Sequence, residues 1–442
     1  MADIRISPVG YTVEHGSNNK RIHGMVWVSS TIGYVFWYRD AEDLGLFYQR
    51  TTDGGLTWDT PVQINTTGGP KLKGFAIWYD KWTPSNTGDK IHIGWGDCTG
   101  TSIGARCYYR YRYLDASTNS LSSTYEVTNV SNGSGLNGGW GMPCRARNGN
   151  LFYLFWTGSI GGTNGFYKSV NEGVSWSSRS ITGLTFGSTI YSVRMFPSPD
   201  QTDDVCCIWP YSSATALLHY DDSANTWAST QVESAVTNCD AITLDNGNTI
   251  CVYTYPNTGT LRCIDVTDPQ TYVQRTNVYT SESGHTVDYA MGICKDIDEN
   301  IGVAFAGESE TVYRVGGRYS YDLGVAWSEE GRVDESGTCR RGDTTGKQYF
   351  TDNKVFVTWF DSDVLWGNFL TIVRNVPSPP GDTPDPPPGP RPPDIVLTDR
   401  TMEFDVYYRE ESLTVDTSLQ ERNMKFDLYY RETNLDIEER SY

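Results

Sequence analysis

Charged and hydrogen-bonding side chains open one strand-like run after another along residues 1–376. They are Arg21 and His23 in KRIHGMVW, Lys73 in KLKGFAIW, Arg145 and Arg147 in PCRARNG, and Arg194 in YSVRMFP. Asp240 in NCDAITL, Asp288 and Tyr289 in VDYAMGI, and Arg340 and Arg341 in TCRRGD continue the series. Guanidinium groups converging from separate segments would form a fork for carboxylate or sulfate, because each presents paired N–H donors in fixed geometry. The alternative is a set of ordinary strand-end charges. Which holds depends on the elements that carry these runs.

A second recurrence describes those elements. TTDGGLTW ends at Trp58, SVNEGVSW at Trp176, YDDSANTW at Trp227 and SYDLGVAW at Trp327. Five residues before each tryptophan stand Asp53, Asn171, Asp222 and Asp322; three before stand Gly55, Gly173, Ala224 and Gly324. An Asp or Asn accepts hydrogen bonds from its own turn, Gly supplies unusual backbone angles, and Trp packs beneath as a plug. The Asp and Trp of each unit are therefore read as structural.

Composition agrees with many short strands. Of 442 residues 13% are aromatic, with 29 Tyr, 14 Trp and 44 Gly, so rings rather than Leu fill the core. The net charge of −19 repels phosphate, which excludes nucleic acid and anionic membrane as partners. No run of about 18 apolar residues exists to insert in a membrane. The opening MADIRISPVGYTVEHG lacks the basic and apolar regions of a secretory signal, so synthesis in the cytoplasm is expected. Several of the ten cysteines lie inside strand-like runs and are expected to be reduced and buried, with Cys98 and Cys107 placed to bridge a hairpin. With no C-x-x-C pair and five His, no metal site or cofactor is expected.

The Trp-ended unit is similar to the Asp-box, S-x-D-x-G-x-T-W, closely in two copies and in degenerate form in two. Through it, residues 1–376 resemble the bacterial neuraminidase repeat family of sialidase-like β-propellers. The intervals between the aligned positions are 118, 51 and 100 residues. Taken as two, one and two blades they average about 54 residues, near the length of a four-stranded blade. Blades without a box are then expected at 73–129 and 236–278. The fold class is all-β: a propeller of about seven four-stranded blades, the alternative being six as in sialidases. An N-terminal strand (IRISPVGYTV) is expected to complete the last blade.

The resemblance also implies chemistry. Arg21 matches the first arginine of a sialidase carboxylate-binding triad, although His23 stands where that motif has Pro. Arg194 and Arg340 are candidates for the other two arginines, with Arg145 and His23 as further glycan-binding candidates. Asp43 (or Asp40) falls where an acid/base aspartate precedes the first Asp-box. Tyr289, activated by Asp288 or Asp240, would be the nucleophile of a retaining mechanism, since a tyrosine avoids repulsion by the substrate's carboxylate.

Half of the 20 prolines lie in residues 377–393, a semi-rigid spacer. Beyond it, residues 394–442 repeat with a period of 22, DRTMEFDVYYRE returning as ERNMKFDLYYRE. Alternating apolar and charged residues make one-sided strands too short to bury much alone. An anchor or oligomerisation element is expected; a small hairpin or an extended tail is the alternative. The tail's layout loosely resembles strand repeats appended to phage virion proteins. The resulting expectation is a glycan-binding propeller on a virion, its tail meeting another virion protein or itself. The competing one is an exo-acting sialidase or another glycan-cleaving propeller.

Overall fold

The computed structural model describes residues 4–9, 23–39, 45–65, 71–98, 106–131, 140–156, 164–182, 184, 193–200, 203–211, 214–233, 239–255, 259–280, 285–295, 299–309, 312–328, 331–332, 354–361 and 364–371. The chain divides into Met1–Asn375 and Val376–Tyr442, and every described residue belongs to the first part. The spacer and the repeated tail lie outside the described residues.

The fold is a seven-bladed β-propeller, each blade an antiparallel sheet. Strand β1 (Ile4–Arg5) opens the chain but belongs to the last blade. Blade one is β2 (His23–Trp27), β3 (Gly33–Arg39), β4 (Gly45–Thr51) and β5 (Val62–Gln63). Blade two is β6 (Lys71–Tyr79), β7 (Lys90–Cys98), β8 (Arg106–Asp115) and β10 (Tyr125–Ser131), with β9 (Ser120–Leu121) beside β8. Blade three is β11 (Trp140–Arg145), β12 (Leu151–Trp156), β13 (Asn164–Ser169) and β14 (Ser177–Arg179). Blade four is β15 (Arg194–Pro197), β16 (Val205–Tyr211), β17 (Ala214–Asp221) and β18 (Thr226–Glu233). Blade five is β19 (Cys239–Thr243), β20 (Thr249–Tyr255), β21 (Thr260–Asp268) and β22 (Thr271–Gln274). Blade six is β23 (His285–Lys295), β24 (Ile301–Ser309), β25 (Val312–Ser320) and β26 (Gly331–Arg332). Blade seven holds β27 (Lys354–Asp361) and β28 (Val364–Thr371), and β1 completes it through Ile4 opposite Gly367 and Arg5 opposite Trp366. The ring thus closes by pairing the N-terminal strand with a C-terminal one, and the count is seven rather than six.

Residue pattern explains strand position. Second strands lie between two neighbours and two packed faces, so β12 (LFYLFW) is buried throughout. Fourth strands have one solvent face, so β10 and β18 alternate. Among the described residues, two hydrophobic clusters lie between neighbouring blades. One joins Trp27 and Trp37 of blade one to Phe356 and Leu365 of blade seven, and another joins Tyr109 and Tyr111 of blade two to Tyr153 and Phe155 of blade three. Seven free cysteines are buried in this interior, as expected, while Cys107 is in a disulfide and lies opposite Cys98 in the β7–β8 ladder.

The Trp-ended turns connect third and fourth strands, and three share one geometry. Thr51 donates to Asp53 at 2.7 Å, and Asp53 accepts the Thr57 amide at 2.9 Å. Asn171 does the same with Ser169 and Ser175, and Asp322 with Ser320 and Ala326. Gly173 has φ +83°, and a Cβ there would lie 2.1 Å from the Tyr111 ring, so only glycine lets this turn press on blade two. Each tryptophan reaches toward the preceding blade. Trp58 packs on Phe356 of blade seven and Trp176 on Tyr111 of blade two. Trp227 packs on Phe166 of blade three, and Trp327 donates to Thr276 after blade five.

The fourth turn departs from the aligned reading. Ala224 replaces the glycine, so β17 and β18 run on until Asp221 faces Thr226, and Asn225 takes the left-handed angle at φ 55°. Asp221 accepts the Ala224 amide at 2.8 Å; Asp222 instead pairs with Lys168 of blade three, 3.6 Å from Arg179.

Candidate functional site

Inner strands of successive blades lie side by side around the channel. Arg194 and Asp240 occupy equivalent places on two of them, each three residues before the last inner-strand pair, Pro197 with Val205 and Thr243 with Thr249. Their side chains meet, with Arg194 Nε 3.4 Å from Asp240 Oδ1. Asp240 is fixed from its other side: Oδ1 accepts the Ala241 amide at 2.9 Å and Oδ2 the Ile293 amide at 3.0 Å. The carboxylate therefore ties blade five to blade six while facing the arginine of blade four.

Beneath the arginine is an aromatic base supplied by blade two. After β6 the chain makes one 3-10 turn, Asp80–Trp82, closed by the Thr83 amide donating to Asp80 at 2.9 Å. Trp78 donates from its indole to the Thr83 hydroxyl at 3.1 Å, and that hydroxyl donates to the Arg145 carbonyl at 2.8 Å. This holds Trp82 so that the Arg194 guanidinium lies 5.0 Å from one ring and 5.8 Å from that of Trp78. The side chain of Arg194 keeps 15% exposure and that of Asp240 4%. The result is a charge-matched hydrogen-bonding pair on an indole base.

Arg145 takes a different place. It is the last residue of β11 and forms ion pairs at 2.9 Å with both Asp80 and Glu172. Asp80 Oδ1 also lies 2.7 Å from His92 Nε2, and His92 Nδ1 lies 2.6 Å from the Tyr111 hydroxyl. Burial works to raise the Asp80 carboxyl, but the His92 hydrogen bond and the Arg145 charge outweigh it and hold it below the usual range. Burial, with the nearby Glu172 and Asp80 charges, pushes the Tyr111 phenol well up. His92 thus joins the Tyr111 hydroxyl and the Asp80 carboxylate in one buried chain. Lys90 pairs with the remaining oxygen of Glu172 and completes the network between blades two and three.

Another buried acid lies in blade two. Asp97 is pushed up to about 6 by burial, which the Arg110 charge and the Trp95 indole hydrogen bond oppose only in part. Both partners address Oδ2, and Oδ1 is buried with no hydrogen-bond partner among the described residues.

Of the sequence-derived site residues, Arg194 and Asp240 come together, and Arg145 is engaged by its own carboxylates. His23 begins inner strand β2 opposite Trp37. Tyr289 lies on inner strand β23 where the register shifts between Asp288 and Met291, a bulge of the kind that re-aims side chains. Arg21, Asp43 and Arg340, like Asp40 and Arg341, lie outside the described residues. Sequence reading passed over Trp78, Trp82, Asp80, His92 and Asp97. The two indoles four residues apart at a strand end (WYDKW) were the available signal for the first pair.

No protein-family model matches the chain, and no curated protein does. Solved structures match at the level of fold. The BP39L lectin from Burkholderia pseudomallei aligns with a TM-score of 0.57 at 12% identity, covering 81% of this chain and 99% of the lectin. A PL25 ulvan lyase bound to a GlcA–Rha3S oligosaccharide aligns with a TM-score of 0.51 at 13% identity, over 82% and 96% of the two chains. A Hadza microbial sialidase aligns at 0.46 and 13%, over 82% of this chain and 69% of its own. What this chain shares with them is the β-propeller.

Proposed function

We propose that the propeller is a glycan-binding module, carried on a virion as a head or tail decoration or receptor-binding component and attached through residues 394–442. The observation that carries the glycan reading is the Arg194–Asp240 pair over Trp82, held by main-chain amides of two blades. Paired donors and acceptors from neighbouring inner strands suit sugar hydroxyls. Propellers of this fold that are a lectin or hold an oligosaccharide lend support. The virion reading rests on the spacer and the repeated tail, which would present many weak sites at once.

A second reading is an exo-acting sialidase-type hydrolase, favoured by Tyr289 at the β23 bulge beside Asp288. The pairing of Arg194 weighs against it, because a guanidinium matched by Asp240 offers less to a substrate carboxylate. Glycan-array binding of the full chain tests both. The binding module predicts captured glycans with no released sugar, lost in Arg194→Ala and Asp240→Ala. Turnover of a sialoside reporter abolished by Tyr289→Phe would replace it with the hydrolase. Glycan binding unchanged in both channel variants would remove this pair from the site. For the tail, a chain ending at residue 376 should bind glycan equally but fail to join the particle or self-associate.

A further inference from the structure

The geometry points to a divalent-metal site on blade four, formed by Asp200, Asp204 and His219. The two carboxylates come from the turn between β15 and β16, and the imidazole from β17. One ligand atom from each lies within 4.8 Å of the others. Asp204 Oδ2 is 2.9 Å from His219 Nε2. Two donors on one Zn²⁺ stand roughly 3–4 Å apart, and the Asp204–His219 spacing already lies close to that range.

Observations outside the trio favour a cation there. The other oxygen of Asp204 accepts the Asp222 amide at 2.9 Å, which orients the carboxylate as an outer-shell partner does. The neighbouring Asp222 carboxylate is occupied by Lys168 and Arg179. Cys206 pairs with His219 in the β16–β17 register, which sets the imidazole beside the start of β16. Arg147 of blade three meets part of the Asp200 charge.

Two carboxylate oxygens and one imidazole nitrogen suit a first-row divalent ion such as Zn²⁺ or Mn²⁺. Ca²⁺ and Mg²⁺ take oxygen donors, and closed zinc sites usually include thiolates. Water would fill the remaining positions. The ion would tether Asp200 and Asp204 to the third strand of their blade, and its ligand spacing matches no short sequence motif.

Calorimetric titration of the chelator-treated full chain with ZnCl₂, and separately with CaCl₂, tests the site. One equivalent of Zn²⁺ is expected, with a rise in Tm and at least tenfold weaker binding in His219→Gln. Asp200→Asn, in an exposed turn, should weaken binding comparably and decides the matter if His219→Gln fails to fold. No one-equivalent binding, affinity unchanged in the folded variants, or preference for Ca²⁺ over Zn²⁺ would each overturn the site.

Discussion

Arg145 and Arg194 sit on neighbouring inner strands, and sequence gives both the same candidate role. Arg145 closes β11 at the seam between blades two and three, where Asp80 and Glu172 take its charge. Arg194 lies three residues short of its strand's end and extends over Trp82, with the Asp240 carboxylate of the next inner strand beside it. Height along the strand, rather than residue type, separates a cation that fastens blades from one that faces the channel.

The largest test of this contrast is Asp80→Ala. It strips His92 and Arg145 of a shared, buried acceptor and should cost about 3–5 kcal/mol, the usual effect of breaking a buried ion pair from one side. Urea midpoints measure it, and a loss under about 1 kcal/mol would show that the seam network is incidental.

Asp97 supplies the opposite case, a buried acid whose partners do not satisfy it. Its folded pKa is raised from 3.8 to about 6, so its stabilising protonated form is fully present below about 4 and lost as pH rises through 6. Asp97→Asn stays neutral throughout. The variant should match wild type near pH 4 and exceed it by about 2–3 kcal/mol at pH 7, taking about 1.4 kcal/mol per pKa unit. Equal stability of the two proteins across that range would refute the shift.

Arg194→Ala should then cost only about 1–2 kcal/mol, because Asp240 keeps its two main-chain donors. Its larger effect falls on binding, at least tenfold on any glycan the wild type captures. A stability loss as great as that of Asp80→Ala would erase the distinction between the two arginines.

The sequence made the ring legible because its signals are local. Intervals between Asp53, Asn171 and Asp322 carry the blade repeat, and the turn-less blades expected within those intervals emerged as β6–β10 and β19–β22. Blade two runs longer because residues 80–89 and β9 are added to it. Asp222 was misread because only a fold shows that Ala224 lets the hairpin zip to Asp221. The partners of Arg145 could not be read, since Asp80 arrives from 65 residues away and another blade. For the same reason Trp82 was invisible as the base under Arg194: its 3-10 turn is short, and its target lies two blades on.

The repeated turn gives the smallest and most local test, a carboxylate that fastens only its own seven residues. Hydrogen bonds from Thr51 and Thr57 outweigh the slight burial of Asp53 and lower it from 3.8 to about 2. A lowered folded pKa contributes stability above about pH 4 that fades as pH falls through 2. The side chain is partly exposed, so solvent screening limits the effect, and Asp53→Ala should cost about 1 kcal/mol at pH 6, comparable to losing a helix cap. The gap from wild type should narrow toward zero near pH 2. Asp221→Ala, which removes the acceptor of the divergent turn, should behave alike, because its carboxyl is lowered by the Ala224 amide and Ser223 hydroxyl. Asp222→Ala should differ in cost from both at pH 6, since its loss strands the buried Lys168 instead of opening a turn. If all three variants lose the same stability at pH 6, the turn at Asp222 belongs with the other three after all, and the geometry assigned to Ala224 is wrong.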